Sequence, residues 1–269
     1  MTAFVSWNIQ NGKGVDGRTD LARIAAGVRA MGGADVVCMQ EVARFDPAFD
    51  GAADQVARLV ALFPGYEAVF GPTLTRGERQ YGNLILSRLP VLQSFNHLLP
   101  HPPEGGIKHM QRAAVEAVVR APWGPLRVMT THLEFYSVHH RTAQIARLRE
   151  LQEEAAGNEA APAKDAPSPY DGVPRPASLV LCGDFNSVAG DAHYRQLFAP
   201  PLVDAWTVAR KGEPHAATFC VYERSYGHGE DCRDFFAVTP DVAARIASLE
   251  VDGETQASDH QPLRLLLRD

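Results

Sequence analysis

The stretch Leu179-Val180-Leu181-Cys182-Gly183-Asp184-Phe185-Asn186 is an apolar run followed by a carboxylate and a carboxamide two positions apart. Side chains on a strand alternate between its two faces, so a strand through this segment directs Asp184 and Asn186 the same way. Such a pair suits a phosphate group and a metal ion. The alternative is a plain turn, because Asp and Asn often hydrogen-bond their own backbone where a strand ends.

Four other segments share this design, in which a strand-like apolar run carries a polar residue that can bind a metal or transfer a proton. They are 4–10 with Asn8, 35–41 with Glu41, 126–134 with His132 and 233–238 with Asp234, and 258–260 adds Asp259 and His260 near the C-terminus. Each polar residue taken alone is explained as an ordinary strand-end or loop residue. Their repetition indicates that several strand ends form one site.

These segments occur in the chain as a series of short motifs. The motifs are Trp7-Asn8-Ile9, Gln40-Glu41-Val42, Gly82-Asn83-Leu84-Ile85-Leu86-Ser87, Thr131-His132-Leu133, Gly183-Asp184-Phe185-Asn186, Asp234-Phe235-Phe236 and Ser258-Asp259-His260-Gln261-Pro262-Leu263. In this order the chain resembles the exonuclease-endonuclease-phosphatase superfamily of metal-dependent phosphoesterases, over nearly its whole length. The resemblance implies an α+β fold, a four-layer sandwich of two mixed β-sheets packed face to face with helices on both outer sides. It places the site at one edge, where the strand ends converge.

The resemblance and the residue types together predict catalytic roles for five residues. Asp184 is expected to orient and activate the attacking water, and Asn186 to donate its amide to a phosphoryl oxygen. His132 and His260 are expected to donate hydrogen bonds to the phosphorus centre and to the departing alkoxide. Asp234 is expected to hold the far nitrogen of His260 and to keep that imidazole protonated.

Hard oxygen ligands are predicted to hold Mg²⁺ in this site. Glu41 is the first choice, with Asn8 and Asp259 completing a shell that keeps most of its water, because Mg²⁺ uses only one or two carboxylates. Mn²⁺ is expected to be accepted by the same oxygens. Nuclease branches of the family often carry an acid where this chain has Gln10, so Gln10 is assigned to substrate instead of to a second metal contact.

Six basic residues lie in or beside loops that the resemblance brings to or near the active face. Arg112, in Gln111-Arg112-Ala113 at the start of a strand, resembles the family's basic contact near phosphate and is predicted to bind substrate. The others are interpreted as scattered solvated charge; they are Lys13, Arg18, Arg76, Arg79 and Lys108.

Length and composition favour one globular domain. The 269 residues are 45% hydrophobic and 22% charged, which is ordinary for a globular protein, and residues 1–269 are predicted to form a single domain. The N-terminus has no basic and apolar leader, and no apolar run approaches the roughly 20 residues of a membrane span. A cytoplasmic location is therefore expected, and nothing in the sequence indicates an obligate protein partner.

Helical periodicity appears in three places between the strands. The first helix is predicted after a cap at Thr19 or Asp20 and ends at Gly32-Gly33. The second begins at Asp54, buries Val56, Leu59, Val60 and Phe63, and ends at Pro64-Gly65; the third covers about 138–155. A Pro/Ala-rich segment at about 157–177 then predicts a mobile surface loop, because it has too few apolar residues to build a core.

The four cysteines are not spaced as metal ligands. Cys38 and Cys182 lie in apolar runs and are predicted to be small buried hydrophobic residues. Cys220 and Cys232 bracket a glycine-rich loop and are able to pair across a hairpin, although thiols in the cytosol are expected to stay reduced.

The charge of the chain bears on the substrate. The formal net charge is −6, the sequence pI is about 5.9, and no block of Lys or Arg is present to follow a nucleic-acid backbone. A small soluble or lipid-derived phosphoester is therefore favoured. A DNA or RNA nuclease remains the alternative, because a local basic patch can outweigh net charge. A third alternative, an inactive binding module, has no physical need to retain the full set of polar residues.

Overall fold

The computed structural model describes residues 1–164, 166–168, 170, 172–223, 225–227 and 229–269. These residues include twelve strands, which are Thr2–Asn8 (β1), Val36–Arg44 (β2), Glu67–Arg76 (β3), Arg79–Ser87 (β4), Val91–Leu98 (β5), Ala113–Ala121 (β6), Gly124–His132 (β7), Leu179–Asp184 (β8), Val203–Asp204 (β9), Asp234–Val238 (β10), Ile246–Val251 (β11) and Leu263–Leu267 (β12). One six-stranded sheet has the order β11-β12-β1-β2-β4-β3, and the other has the order β5-β6-β7-β8-β10-β9. Both sheets are mixed, since β1 pairs with β2 in parallel and β7 pairs with β8 in parallel, while the other pairs are antiparallel.

The two sheets pack face to face through alternate residues of their strands. Phe4 of β1, Val128 of β7, Val180 of β8 and Phe236 of β10 belong to one buried cluster that contains side chains of both sheets. The intervening residues, such as Trp7 of β1, point to the opposite face. This period of two is what strand geometry requires when both faces of a sheet are covered.

Helices cover the two outer faces. The α-helices among the described residues are Leu21–Ala30 (α1), Gln55–Leu62 (α2), Val138–Ala160 (α3), Ala192–Leu197 (α4), Ala205–Ala209 (α5) and Pro240–Ala243 (α6). Helices α1 and α2 cover the first sheet through a cluster that includes Ile24 and Leu59. Helix α3 covers the second sheet through Leu148 and its neighbours. The predicted four-layer sandwich is thus confirmed.

Capping residues explain where the helices begin. Asp20 accepts a hydrogen bond from the backbone N–H of Ala22, and Asp54 accepts one from that of Ala57, so both predicted caps are confirmed. The prediction that Val60 points inward is wrong. Its side chain is on the exposed part of α2, with 37% of its surface accessible, because this short helix presents mainly Leu59 to the sheet.

The segment predicted as a loop at 157–177 begins later than expected. Helix α3 continues to Ala160, so the first four residues of the predicted loop are helical. At the other end, Gln152 of α3 donates to the carbonyl oxygen of Ala177 at 2.8 Å, and Arg175 donates to Glu116 of β6. This end of the segment is therefore attached to the sheet. Residues 165, 169 and 171, which the prediction also covered, lie outside the described residues.

Two further expectations concern cysteines and membrane association. All four cysteines are buried, and in the described structure Cys220 and Cys232 do not form a disulfide with each other. No helix in the described part of the chain is long and apolar enough to cross a bilayer. The assignment of residues 1–269 to one domain stays a prediction.

Candidate active site

Strand alternation brings four of the predicted site residues to the space between the sheets. Asn8 ends β1 and follows Phe4 on the inner face, while Asp184 ends β8 and follows Val180. His132 is the register partner of Asp184 on one side, and Asp234 is its partner on the other. Four polar side chains therefore meet at one edge of the sandwich, as predicted.

The carboxylate of Asp184 lies at the centre of this group. Its Oδ2 accepts a hydrogen bond from Asn8 Nδ2 at 3.1 Å, and it lies 3.4 Å from His132 Nε2 and 3.5 Å from His260 Nε2. Asn8 Nδ2 also lies 3.1 Å from Glu41 Oε1. Glu41 of the first sheet therefore lies close to the imidazoles of His132 and His260.

A bulge in β2 directs Glu41 into the site. Val37 and Met39 face α1 and α2, so simple alternation would send Glu41 to that outer face as well. The register of β2 against β4 shifts between Met39 and Val42, and Glu41 takes a positive φ of 60°. Bulges commonly re-aim a side chain next to a functional site, and such a backbone costs about 1–3 kcal/mol. The carboxylate of Glu41 is therefore held beside Asn8 by a strained backbone conformation.

Asp234 and His260 form a buried pair. His260 Nδ1 lies 2.8 Å from Asp234 Oδ2, and Thr218 Oγ1 donates to the same oxygen at 2.7 Å. Burial alone lowers the pKa of His260, but the charges of Asp234 and Asp184, with the hydrogen bond to Asp234, raise it from 6.5 to about 10. The predicted hydrogen bond is present, and it leaves Nε2 of a protonated imidazole facing Asp184.

The pKa of Asp184 is raised from 3.8 to about 6. Burial is the main cause, and the negative charge of Asp234 on the adjacent strand adds to it, while the charge of His260 opposes both. A carboxylate whose pKa lies close to neutrality accepts a proton more readily than an ordinary aspartate. This is the property required of a base that activates water.

The second imidazole differs from the first. His132 is buried, and burial together with the positive charges of Arg112 and His260 holds its pKa well below the ordinary value of 6.5. His132 is therefore neutral near pH 7 and offers one N–H donor, whereas His260 is cationic. The two histidines of the site thus have different charges.

Three oxygen-bearing side chains are suitable ligands for a divalent cation. Glu41 and Asp259 are the acids, and Asn8 carries an amide whose Oδ1 here accepts a hydrogen bond from the backbone N–H of Gln10 while its Nδ2 faces Glu41. Burial, and next the charge of Asp259, raise the pKa of Glu41, while the positive charges of His260 and Arg112 act in the opposite direction. Neither acid forms an ion pair with a lysine or arginine of the described residues. Carboxylate and amide oxygens are the donors that Mg²⁺ prefers, so the residues fit such an ion.

Gln10 contacts Asp259, one of the predicted metal ligands. Its Nε2 donates to Asp259 Oδ2 at 2.8 Å and lies 2.9 Å from the hydroxyl of Tyr226, which itself donates to Asp259. Gln10 thus holds the carboxylate of Asp259 in place. Its predicted contact with substrate stays a prediction.

Arg112 reaches the site from the start of β6. Its Nε lies 3.4 Å from Glu134 Oε2, and both side chains are buried. Its charge contributes to the pKa values of Glu41 and His132. The guanidinium therefore acts electrostatically on the predicted site, and its contact with phosphate stays a prediction.

Asn186 does not share the strand geometry that its spacing from Asp184 predicted. Strand β8 ends at Asp184, and Asn186 lies in a turn with φ of 49°, where its backbone N–H donates to Asp184 Oδ1 at 2.9 Å. Its side-chain amide donates to the carbonyl oxygen of Leu133. The prediction that strand alternation directs both side chains the same way is therefore wrong for this pair, and the alternative of a plain turn describes the backbone. The role of Asn186 toward phosphate stays a prediction.

A family model described as "Endonuclease/Exonuclease/phosphatase family" matches residues 5–260. The chain belongs to this family. No curated protein matches its sequence.

Several solved structures share the fold of this family member. An endonuclease/exonuclease/phosphatase from Beutenbergia cavernae is 24% identical with a TM-score of 0.72, over 98% of this chain and 70% of that one. A mannosyl-6-phosphatase from Bacteroides thetaiotaomicron is 16% identical with a TM-score of 0.73, over the whole of both chains. A 3′ phosphatase from Neisseria, solved with a product DNA hairpin, is 19% identical with a TM-score of 0.67, also over both whole chains. At these identities the likeness establishes the fold.

Several residues that hold the site of this family member together were not predicted as site residues. Trp7 Nε1 donates to the carbonyl oxygen of His260, and Ser258 Oγ donates to that of Asn8, so the C-terminal segment is tied to β1. Thr218 and Tyr226 hold the carboxylates of Asp234 and Asp259. Trp7 and Ser258 lay inside recognised motifs, but Thr218 and Tyr226 make long-range contacts that no local pattern reveals.

Proposed function

We propose that this protein is a Mg²⁺-dependent hydrolase that cleaves a phosphoester bond of a small soluble or lipid-derived substrate. Members of its family hydrolyse phosphoesters. The observation that carries the proposal is the position of the Asp184 carboxylate, with Asn8 and the acid of Glu41 on one side and two imidazoles on the other.

The protonation states support a division of roles. Asp184, with its raised pKa, accepts a proton from the attacking water. Protonated His260, oriented by Asp234, donates a hydrogen bond from Nε2 to a phosphoryl oxygen, where negative charge develops. Neutral His132 donates a second hydrogen bond on the same side. Each group is held by the packing described above before substrate binds, so little reorganisation is required.

The metal would be held by Glu41, Asn8 and Asp259. A bound Mg²⁺ supplies positive charge that neutralises phosphoryl oxygens and stabilises the leaving oxygen. Gln10 and Tyr226 keep Asp259 turned toward this position through neutral hydrogen bonds. They orient its carboxylate without cancelling its charge.

The surface beside Glu41 supports a small substrate. A cleft there encloses about 330 Å³ and is lined by residues that include Gln10, Lys13 and Phe49. This volume is at the lower end of the range for small-molecule sites, which is about 300–1,000 Å³. With a net charge of −6, the chain as a whole also repels a polyanion.

A nuclease is the second candidate. The observation that favours it is the similarity in fold to a 3′ phosphatase whose structure contains a DNA hairpin. The test is the same for both candidates, because one catalytic group would serve either substrate.

An assay with three substrates separates these possibilities. The protein is incubated with Mg²⁺ and either bis-(p-nitrophenyl) phosphate, p-nitrophenyl phosphate or supercoiled plasmid DNA. Hydrolysis of a nitrophenyl ester without plasmid nicking supports the small-substrate proposal, and nicking supports the nuclease. A chain that is silent on all three, and on a panel of phosphorylated sugars and lipid headgroups, contradicts the proposed function.

The variant Glu41→Gln tests the predicted metal site. This substitution keeps the size of the side chain and its hydrogen bond with Asn8 but removes the charge that attracts the cation. We expect the Mg²⁺ concentration at half-maximal rate to rise by about 10-fold or more, because each 1.4 kcal/mol lost from binding is a factor of ten. An unchanged Mg²⁺ dependence would remove Glu41 from the proposed metal site.

A further inference from the structure

Three histidines form a cluster at the start of α3, apart from the group around Asp184. They are His101 and His109, in the connection between β5 and β6, and His140, in the first turn of α3. One ring nitrogen from each lies within 4.8 Å of the others, and the ring centroids are 4.7–4.8 Å apart in every pair. We propose that this cluster binds a divalent transition-metal ion, represented by Zn²⁺, in a site separate from the predicted Mg²⁺ site.

His109 is oriented as a metal ligand. Its Nε2 lies 2.9 Å from the carbonyl oxygen of Glu104, which only accepts hydrogen bonds, so Nε2 carries the proton. In the neutral ring Nδ1 then has a lone pair, which here accepts a hydrogen bond from His101 Nε2 at 2.7 Å and which a metal ion would take instead. Histidine ligands are characteristically fixed in this way, with the second nitrogen donating to a backbone carbonyl or a carboxylate.

His140 is the strongest indication of an additional ligand. Its side chain is completely buried, and neither ring nitrogen has a hydrogen-bond partner within the described residues. A buried polar group without a partner costs about 1–3 kcal/mol, so such groups are rare unless they have a function. A metal ion between the three rings would give one of these nitrogens its partner.

The carboxylate of Glu104 lies beside the three histidines. Its Oε2 lies 3.6 Å from His140 Nε2 and accepts a hydrogen bond from Ser137, the residue that caps α3. Zn²⁺ is usually four-coordinate, so this carboxylate or a water molecule would complete the set that the three imidazoles begin. The carboxylate also supplies negative charge, which partly balances that of the ion.

The ligand type distinguishes this site from the one beside Asp184. Nitrogen ligands suit zinc, copper, nickel and iron, whereas Mg²⁺ requires oxygen. In a tetrahedral zinc site with bonds of about 2.0–2.1 Å, the ligand atoms are about 3.3 Å apart. Binding would therefore move His101 Nε2 and His109 Nδ1 apart by a few tenths of an ångström. It would also draw the ring nitrogen of His140 closer to both of them. Because His101 lies on the exposed connection, the adjustment requires no movement of the sheet.

The bound ion would connect the chain between β5 and β6 to α3. That chain leads directly to Arg112.

Metal binding can be measured without any activity assay. The protein is freed of metal with a chelator and then titrated with Zn²⁺ in the presence of saturating Mg²⁺, using a chromophoric zinc chelator as competitor. We expect one tightly bound equivalent in the wild type and in Glu41→Gln, because the cluster does not include Glu41. Zn²⁺ should also raise the melting temperature of both proteins.

His101→Ala is the decisive variant, since an exposed loop residue can be removed without disturbing the core. We expect its zinc affinity to fall by at least about 100-fold, because loss of even an outer-shell partner weakens metal binding about 10–100-fold. His139→Ala is the matched control, an exposed histidine next to His140 that lies outside the cluster, and it should bind as the wild type does. The proposal is overturned if the wild type takes up no Zn²⁺ equivalent, or if His101→Ala retains wild-type affinity. It is also overturned if the equivalent is lost in Glu41→Gln, which would assign the ion to the other site.

Discussion

Replacing Asp234 by asparagine removes one charge from the predicted catalytic site and little else. Oδ2 of Asp234 accepts hydrogen bonds from His260 Nδ1 and Thr218 Oγ1, whereas Oδ1 is buried without a partner in the described structure. The amide oxygen of asparagine can take the place of Oδ2, and its nitrogen can take the place of Oδ1. The substitution therefore keeps the shape and both hydrogen bonds while removing the negative charge beside His260.

The expected loss follows from what that charge does. In the comparable case of a residue that orients a histidine ligand, removal costs about 10–100-fold, which corresponds to about 1.4–2.8 kcal/mol in the barrier. We expect kcat for the phosphoester substrate to fall by this amount in Asp234→Asn. KM should change less, because the hydrogen bond from His260 is stronger in the transition state than with bound substrate.

The pH dependence provides a second readout. Because folding raises the pKa of His260 from 6.5 to about 10, the imidazole contributes stability that is fully present below pH 6.5 and is lost as the pH rises through about 10. Asp234→Asn weakens the cause of this shift. The variant should therefore be less stable than the wild type at neutral pH, with a smaller difference above pH 10. The basic limb of its rate profile should move to lower pH.

Initial rates at saturating Mg²⁺ over a range of pH, and urea unfolding of the same samples, measure both effects. Asp204→Asn is the control, because Asp204 Oδ2 lies 2.6 Å from His215 Nε2 in another, partly buried, Asp–His pair that is not among the site residues. This control should lose stability and keep its kcat. If Asp234→Asn has an unchanged rate and basic limb, or if Asp204→Asn loses as much kcat, the assignment of Asp234 as the positioning residue is refuted.

The remaining predictions test the imidazole of His260 itself, the buried ion pair of Glu116 with Arg127, and the close approach of neighbouring strands at Gly183. His260→Ala should lower kcat by about 10²- to 10⁴-fold, the range for acid–base groups, and a loss below 10-fold in steady-state assays would contradict its role. Glu116→Gln should reduce the free energy of unfolding by about 3–5 kcal/mol, because it leaves the completely buried Arg127 without its partner. Although burial opposes the change, hydrogen bonds lower the pKa of Glu116 from 4.5, so its stabilisation is present above pH 4.5 and is lost in acid; urea unfolding at neutral and acid pH should show this loss in the wild type only. Gly183→Ala should cost at least about 2–3 kcal/mol, because a Cβ there would lie 1.9 Å from a backbone oxygen of β7, whereas Gly124→Ala, with a similar φ and open space, should cost less in thermal unfolding.

Local features of the chain account for the elements that were predicted correctly. Asp20 and Asp54 begin helices because their side chains bond the first free backbone N–H groups, and this interaction spans only two or three residues. Strand alternation likewise placed Asn8 and Asp184 on inner faces. Such short-range rules depend on neighbouring residues, which a sequence shows directly.

The same rules failed where distant contacts decide the backbone. Glu41 faces the site only because a bulge against β4 interrupts the alternation of β2. Asn186 leaves the strand because a turn forms at the edge of the sheet, and Val60 is exposed because α2 is short. The bulge depends on the pairing of β2 with β4, which are far apart in the sequence, so no window of neighbouring residues contains that information. The turn at Asn186 is held by its neighbour Asp184, and the local alternative of a plain turn describes it correctly.

The sequence by itself determined the kinds of element, the helix starts, the family resemblance and the set of polar residues available for chemistry. Only the tertiary structure decided how those residues affect one another. It buried His132 near Arg112 and His260 and placed His260 against Asp234 and Asp184, which made one imidazole neutral and the other cationic, and it brought His101 and His109 against the buried ring of His140. The reason is physical: burial and charge act through space over a few ångströms, and folding sets those distances between residues that are far apart along the chain.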